Sequence, residues 1–135
     1  MDRKEAFAAV ALAAVACDGT LGRDEAHALR LQLEFRSLYS ASSEADMGDL
    51  FDLLLRRLRE HGVDGLVNEA LPVLTELQKE SALAVAAQLV HADRKVMPAE
   101  AEFLQKLADQ LDLADGQAKA IVRAIEALNR DSLDE

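Results

Sequence analysis

The stretch that decides the fold is Cys17-Asp18-Gly19-Thr20-Leu21-Gly22-Arg23-Asp24-Glu25-Ala26, because the chain repeats its pattern 75 residues later. The second copy reads Ala92-Asp93-Arg94-Lys95-Val96-Met97-Pro98-Ala99-Glu100-Ala101. Asp18 corresponds to Asp93, Leu21 to Val96 and Glu25 to Glu100. In each copy an alanine-rich helical pattern reaches an Asp, crosses a short polar turn and starts a new helix near a Glu. This repetition predicts two related helical hairpins within one domain.

The remainder of the chain continues the helical pattern. Val, Ile and Thr together number only 13, and no stretch alternates apolar and polar residues over the length of a strand. Helices are predicted over about 6–17, 23–41, 44–61, 64–71, 72–92, 98–111 and 118–128.

The residues at the predicted boundaries agree with these helices. Ser43 and Asp64 suit helix starts, and Pro72 and Pro98 suit the first turn of a helix, where a missing N–H costs nothing. We therefore predict an all-α fold. It is a single compact domain, 1–130, of six or seven helices with two pseudo-symmetric helical hairpins. An acidic tail, 131–135, is predicted to fray.

Composition limits the classes of function. The 135 residues suit one domain, and the formal net charge of −10, from 15 basic and 25 acidic residues, disfavours binding to nucleic acid. The single cysteine, Cys17, excludes an intrachain disulfide and favours a cytoplasmic location. The apolar run 6–17 is too short to span a bilayer, and it aligns with 82–92, deep inside the chain. We read it as a core helix, with no direct insertion into a membrane.

Each Asp–Glu corner has a purely structural interpretation. Asp18 can accept hydrogen bonds from the backbone N–H groups of the following turn. A Glu at the third position of the next helix, as Glu25 and Glu100 are predicted to be, can bond back to the backbone at the helix start. Leu21 and Val96 would then fill the interior of the hairpins. Capping and turn chemistry alone explain the spacing.

The functional alternative is a cation site. The four repeated carboxylates are candidate ligands for calcium, magnesium, manganese or zinc: Asp18, Glu25, Asp93 and Glu100. Hard cations such as calcium take six to eight oxygen ligands. The two carboxylates of one corner are too few to hold such an ion. A complete site therefore needs loop carbonyls, water, or two corners that face each other.

Other chemistry is not indicated. The three histidines, His27, His61 and His91, lack the spacing of a zinc protease, and Cys17 has no reactive signature. No catalytic residue and no cofactor-binding residue is predicted, so we expect that the protein is not an enzyme. The apolar stretch 50–58 is richer in apolar residues than one buried face requires, so it lies in the core or faces a dimer partner.

The two corners resemble the TerB family of tellurite-resistance-associated bacterial proteins. An Ala-rich helix that ends in Cys17-Asp18-Gly19, a hydrophobic residue two positions later and a Glu four beyond it carry the resemblance, and 83–111 carries the second motif. The resemblance implies an all-helical cytoplasmic protein with internal twofold similarity. It also implies acidic residues that take up divalent metal ions, and complexes with other proteins in chemical-stress response.

Two functions remain open on the sequence. The first is a non-enzymatic TerB-like module of bacterial stress response that binds divalent cations at its repeated corners. The alternative is a structural protein–protein interaction module whose Asp and Glu only cap helices. Protein partners, among them a second copy in a homodimer, fit both. A third reading, an acidic mimic of nucleic acid, rests on net charge alone.

Overall fold

One buried helix, α1, forms the centre of the molecule. The computed structural model describes residues 1–19, 21–92 and 95–130, and in it α1 spans Arg3–Ala16. Eleven consecutive residues, 6–16, are buried, and seven of them are alanine. A helix that is apolar on every side must be covered on every side, and its small side chains let neighbouring helices approach closely. The predicted core helix is confirmed.

The described residues form six α-helices and no strand, which confirms the all-α prediction. None of these helices is both long enough and apolar enough to span a membrane. The predicted tail, 131–135, lies outside the described residues. After α1 come α2 (Arg23–Glu34), α3 (Glu44–Ala70), α4 (Glu76–His91), α5 (Pro98–Leu111) and α6 (Gln117–Asn129), with 3₁₀ turns at Ser37–Tyr39 and Leu71–Val73.

The helices form two three-helix repeats, α1–α2–α3 and α4–α5–α6. The first helix of each repeat, α1 or α4, packs against the other, and each also packs against the third helix of its own repeat. Hydrogen bonds occur at nearly equivalent places in the two repeats. Lys4 Nζ on α1 donates to Ser42 Oγ, just before α3, at 3.5 Å, and Gln117 Nε2 on α6 donates to Glu80 Oε1 on α4 at 2.9 Å. The predicted twofold similarity therefore extends beyond the two hairpins to a third helix in each half.

Helix starts follow the predicted capping chemistry. The Ser43 side chain accepts from the backbone N–H of Asp46 at 3.1 Å, and the Asp46 carboxylate accepts from the Ser43 N–H at 3.0 Å. Asp2 and Thr75 begin α1 and α4 in the same reciprocal way. Pro98 occupies the first turn of α5, as predicted. These caps satisfy backbone donors that have no partner within the helix.

The helix predicted over 23–41 is too long. α2 ends at Glu34, and Ser37–Tyr39 forms a 3₁₀ turn. Tyr39 is buried, and its hydroxyl donates to the backbone carbonyl of Lys4 on α1 at 2.7 Å. Burial of this aromatic ring against α1 requires the chain to leave the axis of α2. A tertiary contact thus ends a helix that local sequence would continue.

The helices predicted over 44–61 and 64–71 are joined into one run, α3, with a kink at Gly62. Gly62 has φ 73° and ψ 178°, a conformation that is essentially reserved for glycine. Across the kink, Arg57 Nη1 lies 2.6 Å from Glu69 Oε2. The helix predicted to begin at Pro72 begins instead at Glu76, because Pro72 belongs to the second 3₁₀ turn.

The apolar stretch 50–58 packs on the core. Leu54 is completely buried, and the other apolar side chains that contact the core are partly buried: Leu50, Phe51, Leu55 and Leu58. The stretch therefore contributes to the core, as one of its two predicted roles requires.

Candidate functional site: the two Asp–Glu corners

The first corner links α1 to α2. α1 ends at Ala16, and the Gly19 N–H donates to the Ala16 carbonyl at 3.0 Å. Gly19 has φ 86°, a value that side chains with a Cβ rarely adopt. Asp18 lies exposed in this turn, while Thr20 lies outside the described residues. The glycine thus provides the tight turn that leaves the Asp18 carboxylate at the surface.

Glu25 occupies the third position of α2, as predicted. The preceding cap residue is Gly22, and an atom placed where its Cβ would be lies 2.5 Å from Glu25 Oε2. The Glu25 carboxylate therefore folds back over the backbone at the helix start, which carries the positive end of the helix dipole. Glycine at position 22 leaves the space that this carboxylate occupies.

The second corner repeats this arrangement with different residues. Met97 precedes α5, Pro98 is its first residue and Glu100 its third. The Met97 N–H donates to Glu100 Oε1 at 2.9 Å, which confirms the predicted bond from the third position back to the helix start. Asp93, the fourth candidate ligand, lies outside the described residues, as does Arg94.

The prediction that Leu21 and Val96 fill the interior of the hairpins is wrong. Leu21 is 38% exposed and Val96 is 39% exposed. The interior is filled by residues further along the helices, such as Leu29 and Leu104, which are buried. A hydrophobic residue so close to a turn lies at the rim of the hairpin, where neighbouring helices do not cover it.

The two corners lie next to each other. Cys17, at the end of α1, lines an open depression of about 450 Å³ together with Ala99 and Phe103 of α5. Burial raises the pKa of the Cys17 thiol to about 11, and the carboxylates of Glu100 and Asp18 add to the increase. One carboxylate from each corner therefore raises the pKa of this thiol. Packing of α1 against the start of α5 brings this about.

The corner carboxylates suit a hard cation in kind but not in number. Carboxylate oxygens are the ligands that calcium and magnesium prefer, and the residue Asp18 is exposed. Over residues 1–19, 21–92 and 95–130, however, no group of three or more His, Cys, Asp or Glu side chains is placed to hold a metal ion. Asp18, Glu25 and Glu100 alone therefore do not form a complete site.

The histidines take structural positions. His91 is largely buried at the end of α4, where its Nδ1 lies 3.0 Å from the Ala87 carbonyl and its Nε2 lies 3.8 Å from Glu126 Oε1 of α6. His61 lies beside the kink of α3, with Nε2 3.8 Å from Glu69 Oε1. His61 and His91 thus each face a nearby carboxylate, whereas His27 is exposed on α2.

Sequence reasoning missed a second concave surface, which we call the α5–α6 groove. It has a volume of about 910 Å³ and lies between α5 and α6, which contact each other little. Leu104, Ala108, Leu113 and Val122 contribute an apolar floor. Sequence motifs do not indicate this groove, because a groove of this kind depends on the distance between two helices. The only sequence signal is the run of large apolar residues in α6, at positions 121, 122, 125 and 128.

The reactivity of Cys17 provides a direct check of the contact between the corners. In metal-free buffer at neutral pH, we expect alkylation of the thiol to be about a hundredfold slower than for a cysteine of ordinary pKa, because thiolate is the reactive form. Glu100→Gln should accelerate the reaction, since it removes a charge that disfavours the thiolate. The measurement is the rate of iodoacetamide labelling followed by mass spectrometry.

Glu5→Gln is the matched control for this experiment. Glu5 is also the third residue of its helix and accepts from the Asp2 N–H at 2.9 Å, but it lies at the opposite end of α1 from Cys17. Its substitution should leave the labelling rate unchanged. Equal rates for Glu100→Gln and wild type would mean that the corners are not in electrostatic contact.

Comparison with known protein families identifies a match over most of the chain. The model of the family described as "Tellurite resistance protein TerB" matches residues 4–124 of the 135-residue chain. This range includes both corners, α2 to α5, all but the first residue of α1 and the first eight residues of α6. Searches of curated proteins and of solved structures found no match.

Proposed function

Because the chain belongs to the TerB family, we propose that it is a non-enzymatic module of the tellurite-resistance type that takes up a divalent cation where its two corners meet. In this proposal the protein acts in the cytoplasm, in the response to chemical stress, by binding an ion and protein partners. Asp18, Glu25, Asp93 and Glu100 are the proposed ligand residues, and calcium, magnesium, manganese and zinc are the candidate ions.

The observation that carries the proposal is the contact between the end of α1 and the start of α5. Each corner alone offers two repeated carboxylates, fewer than a hard cation requires. The contact brings Asp18 of the first corner and Glu100 of the second to the same end of the molecule, where both act on the Cys17 thiol. Since like charges that are held close together repel, an ion between them would stabilise the fold.

The alternative is an interaction module in which these carboxylates only cap helices. The bond from the Met97 N–H to Glu100 Oε1 favours it, because the same bond occurs at Asp2 and Glu5, remote from the corners. Glu100 therefore has a structural role in either case. The capping bond uses one carboxylate oxygen, so it does not decide whether a cation binds the other.

Thermal unfolding of chelator-stripped protein, with each of the four ions added singly, separates these functions. An ion at about a hundred times its dissociation constant should add about 2.7 kcal/mol to the free energy of unfolding, a shift in Tm of several degrees. Asp18→Asn and Glu100→Gln should abolish the shift. Glu5→Gln, the matched cap at the other end of α1, should retain it.

Glu100→Gln keeps the cap while it removes the charge. Gln78 shows that glutamine serves in this position, since its Oε1 accepts from the Thr75 N–H at 3.0 Å. Glu100→Ala removes both, and should cost about 1 kcal/mol with or without an ion. If no ion shifts the wild-type Tm, while Glu100→Ala alone melts lower, the cation proposal is wrong and the carboxylates are caps.

A further inference from the structure

The α5–α6 groove lies where the second repeat lacks an aromatic side chain that the first repeat has. In the first repeat Tyr39 is 3% exposed and fills the space beside α1. The equivalent position, 75 residues later, is Ala114, which lines the groove. The link between the second and third helices also differs: 35–43 in the first repeat and 112–116 in the second. Loss of an aromatic ring and of the 3₁₀ turn leaves the groove open.

α6 presents more apolar surface than its own chain covers. None of its residues is completely buried, and Ala118, Ile121, Val122 and Ile125 are partly buried. Leu128 is 71% exposed. α6 packs on α4 through one side, as the bond from Asn129 Nδ2 to Gln88 Oε1 at 2.7 Å shows, and Val122 turns toward the groove. An apolar side of a surface helix that its own chain covers incompletely commonly contacts a partner.

The two sides of the groove differ in charge. Asp109, Asp112 and Asp115 stand on α5 and the following link, whereas Lys119 and Arg123 stand on α6. The one carboxylate on the α6 side, that of Glu126, faces His91 at 3.8 Å. Within the part of the chain that the structure describes, none of the three aspartates and neither of the two basic side chains forms an ion pair. The charges are therefore available to a partner.

We propose that the α5–α6 groove is the contact surface of a homodimer, in which α6 of a second copy lies against the groove about a twofold axis. In a twofold contact the same surface serves both copies. The acidic side of one groove then faces the basic side of the other, and the reverse pair forms at the same time. A surface that carries both complementary charges on either side of an apolar floor fits a copy of itself. This contact does not depend on the cation proposed above.

Sedimentation velocity of the wild-type chain over a range of concentrations tests the proposal. The expected species has twice the mass of the 14.7 kDa chain. Reversal of the basic side by Lys119→Glu with Arg123→Glu should weaken dimerisation at least about tenfold, equivalent to about 1.4 kcal/mol. Reversal of the acidic side by Asp109→Lys with Asp115→Lys should do the same. A mixture of the two reversed proteins should form a heterodimer, because their charges complement each other again.

Arg56→Glu with Arg59→Glu is the matched control. Both arginines are exposed on α3, and the change in net charge equals that of the basic-side variant. The control should dimerise like wild type, and far-UV circular dichroism should show that every variant is folded. A wild-type chain that stays monomeric at all concentrations overturns the proposal, and so does a dimer that neither reversal weakens. Two monomeric variants that fail to form a heterodimer also overturn it, as does a wild-type monomer that binds only a helix of another protein.

Discussion

Replacement of Leu83 by alanine should lower the free energy of unfolding by about 2–5 kcal/mol, enough to unfold much of a marginally stable domain. Leu83 is completely buried in α4, in the core shared with α1. The surrounding helices are rigid and rich in alanine, so they can collapse only partly into the space that the side chain leaves. Urea denaturation followed by circular dichroism measures the loss.

Leu77→Ala is the control for this prediction. Leu77 belongs to the same helix but is 75% exposed, so its removal creates no cavity and should change stability by no more than about 0.5 kcal/mol. Similar losses for the two variants would mean that α4 is not packed as the structure shows.

Gly62→Ala should cost about 1–3 kcal/mol although it removes no contact. Gly62 is exposed, and a Cβ added there would meet no atom within 4 Å. The cost arises because φ 73° with ψ 178° is sterically unfavourable for any residue with a Cβ. The same denaturation experiment measures it.

Gly48→Ala, in the helical part of the same element, should act in the opposite direction. Gly48 is exposed with no atom within 4 Å of an added Cβ, and alanine is favoured over glycine in a helix by about 0.5–1 kcal/mol. A stabilised Gly48→Ala beside a destabilised Gly62→Ala would establish the kink. Stabilisation by both substitutions would show that α3 is straight in solution.

The sequence predicts local features of this fold well, because their causes are local. Ser43, Pro98, Glu25 and Glu100 occupy the cap and first-turn positions that their chemistry suggests. The end of α2 is mispredicted, because Tyr39 is placed by its contact with α1, which is distant in sequence. The prediction that Leu21 and Val96 are buried is wrong for a similar reason. The neighbours of a side chain depend on helix packing, which periodicity does not show.

In the candidate site, too, local features could be predicted and features that depend on helix packing could not. The repeat identified the carboxylates, and the position of Glu100 in its helix could be predicted. That the Glu100 charge acts on Cys17 could not be predicted, since it depends on how α1 packs against α5. The α5–α6 groove could not be predicted either, since it depends on how far α5 and α6 lie apart around Ala114.

The burial of the two ends of the chain differs so strongly that the domain has a built-in order of opening. Eleven consecutive residues of α1 are buried, whereas α6 buries none completely. Local unfolding requires least free energy where the fewest apolar contacts are broken. We therefore expect α6 to detach more readily than α1, and α1 to be the last helix to meet solvent. Backbone amides near the amino terminus should exchange their hydrogens only through global unfolding, while those of α6 should exchange through smaller openings as well.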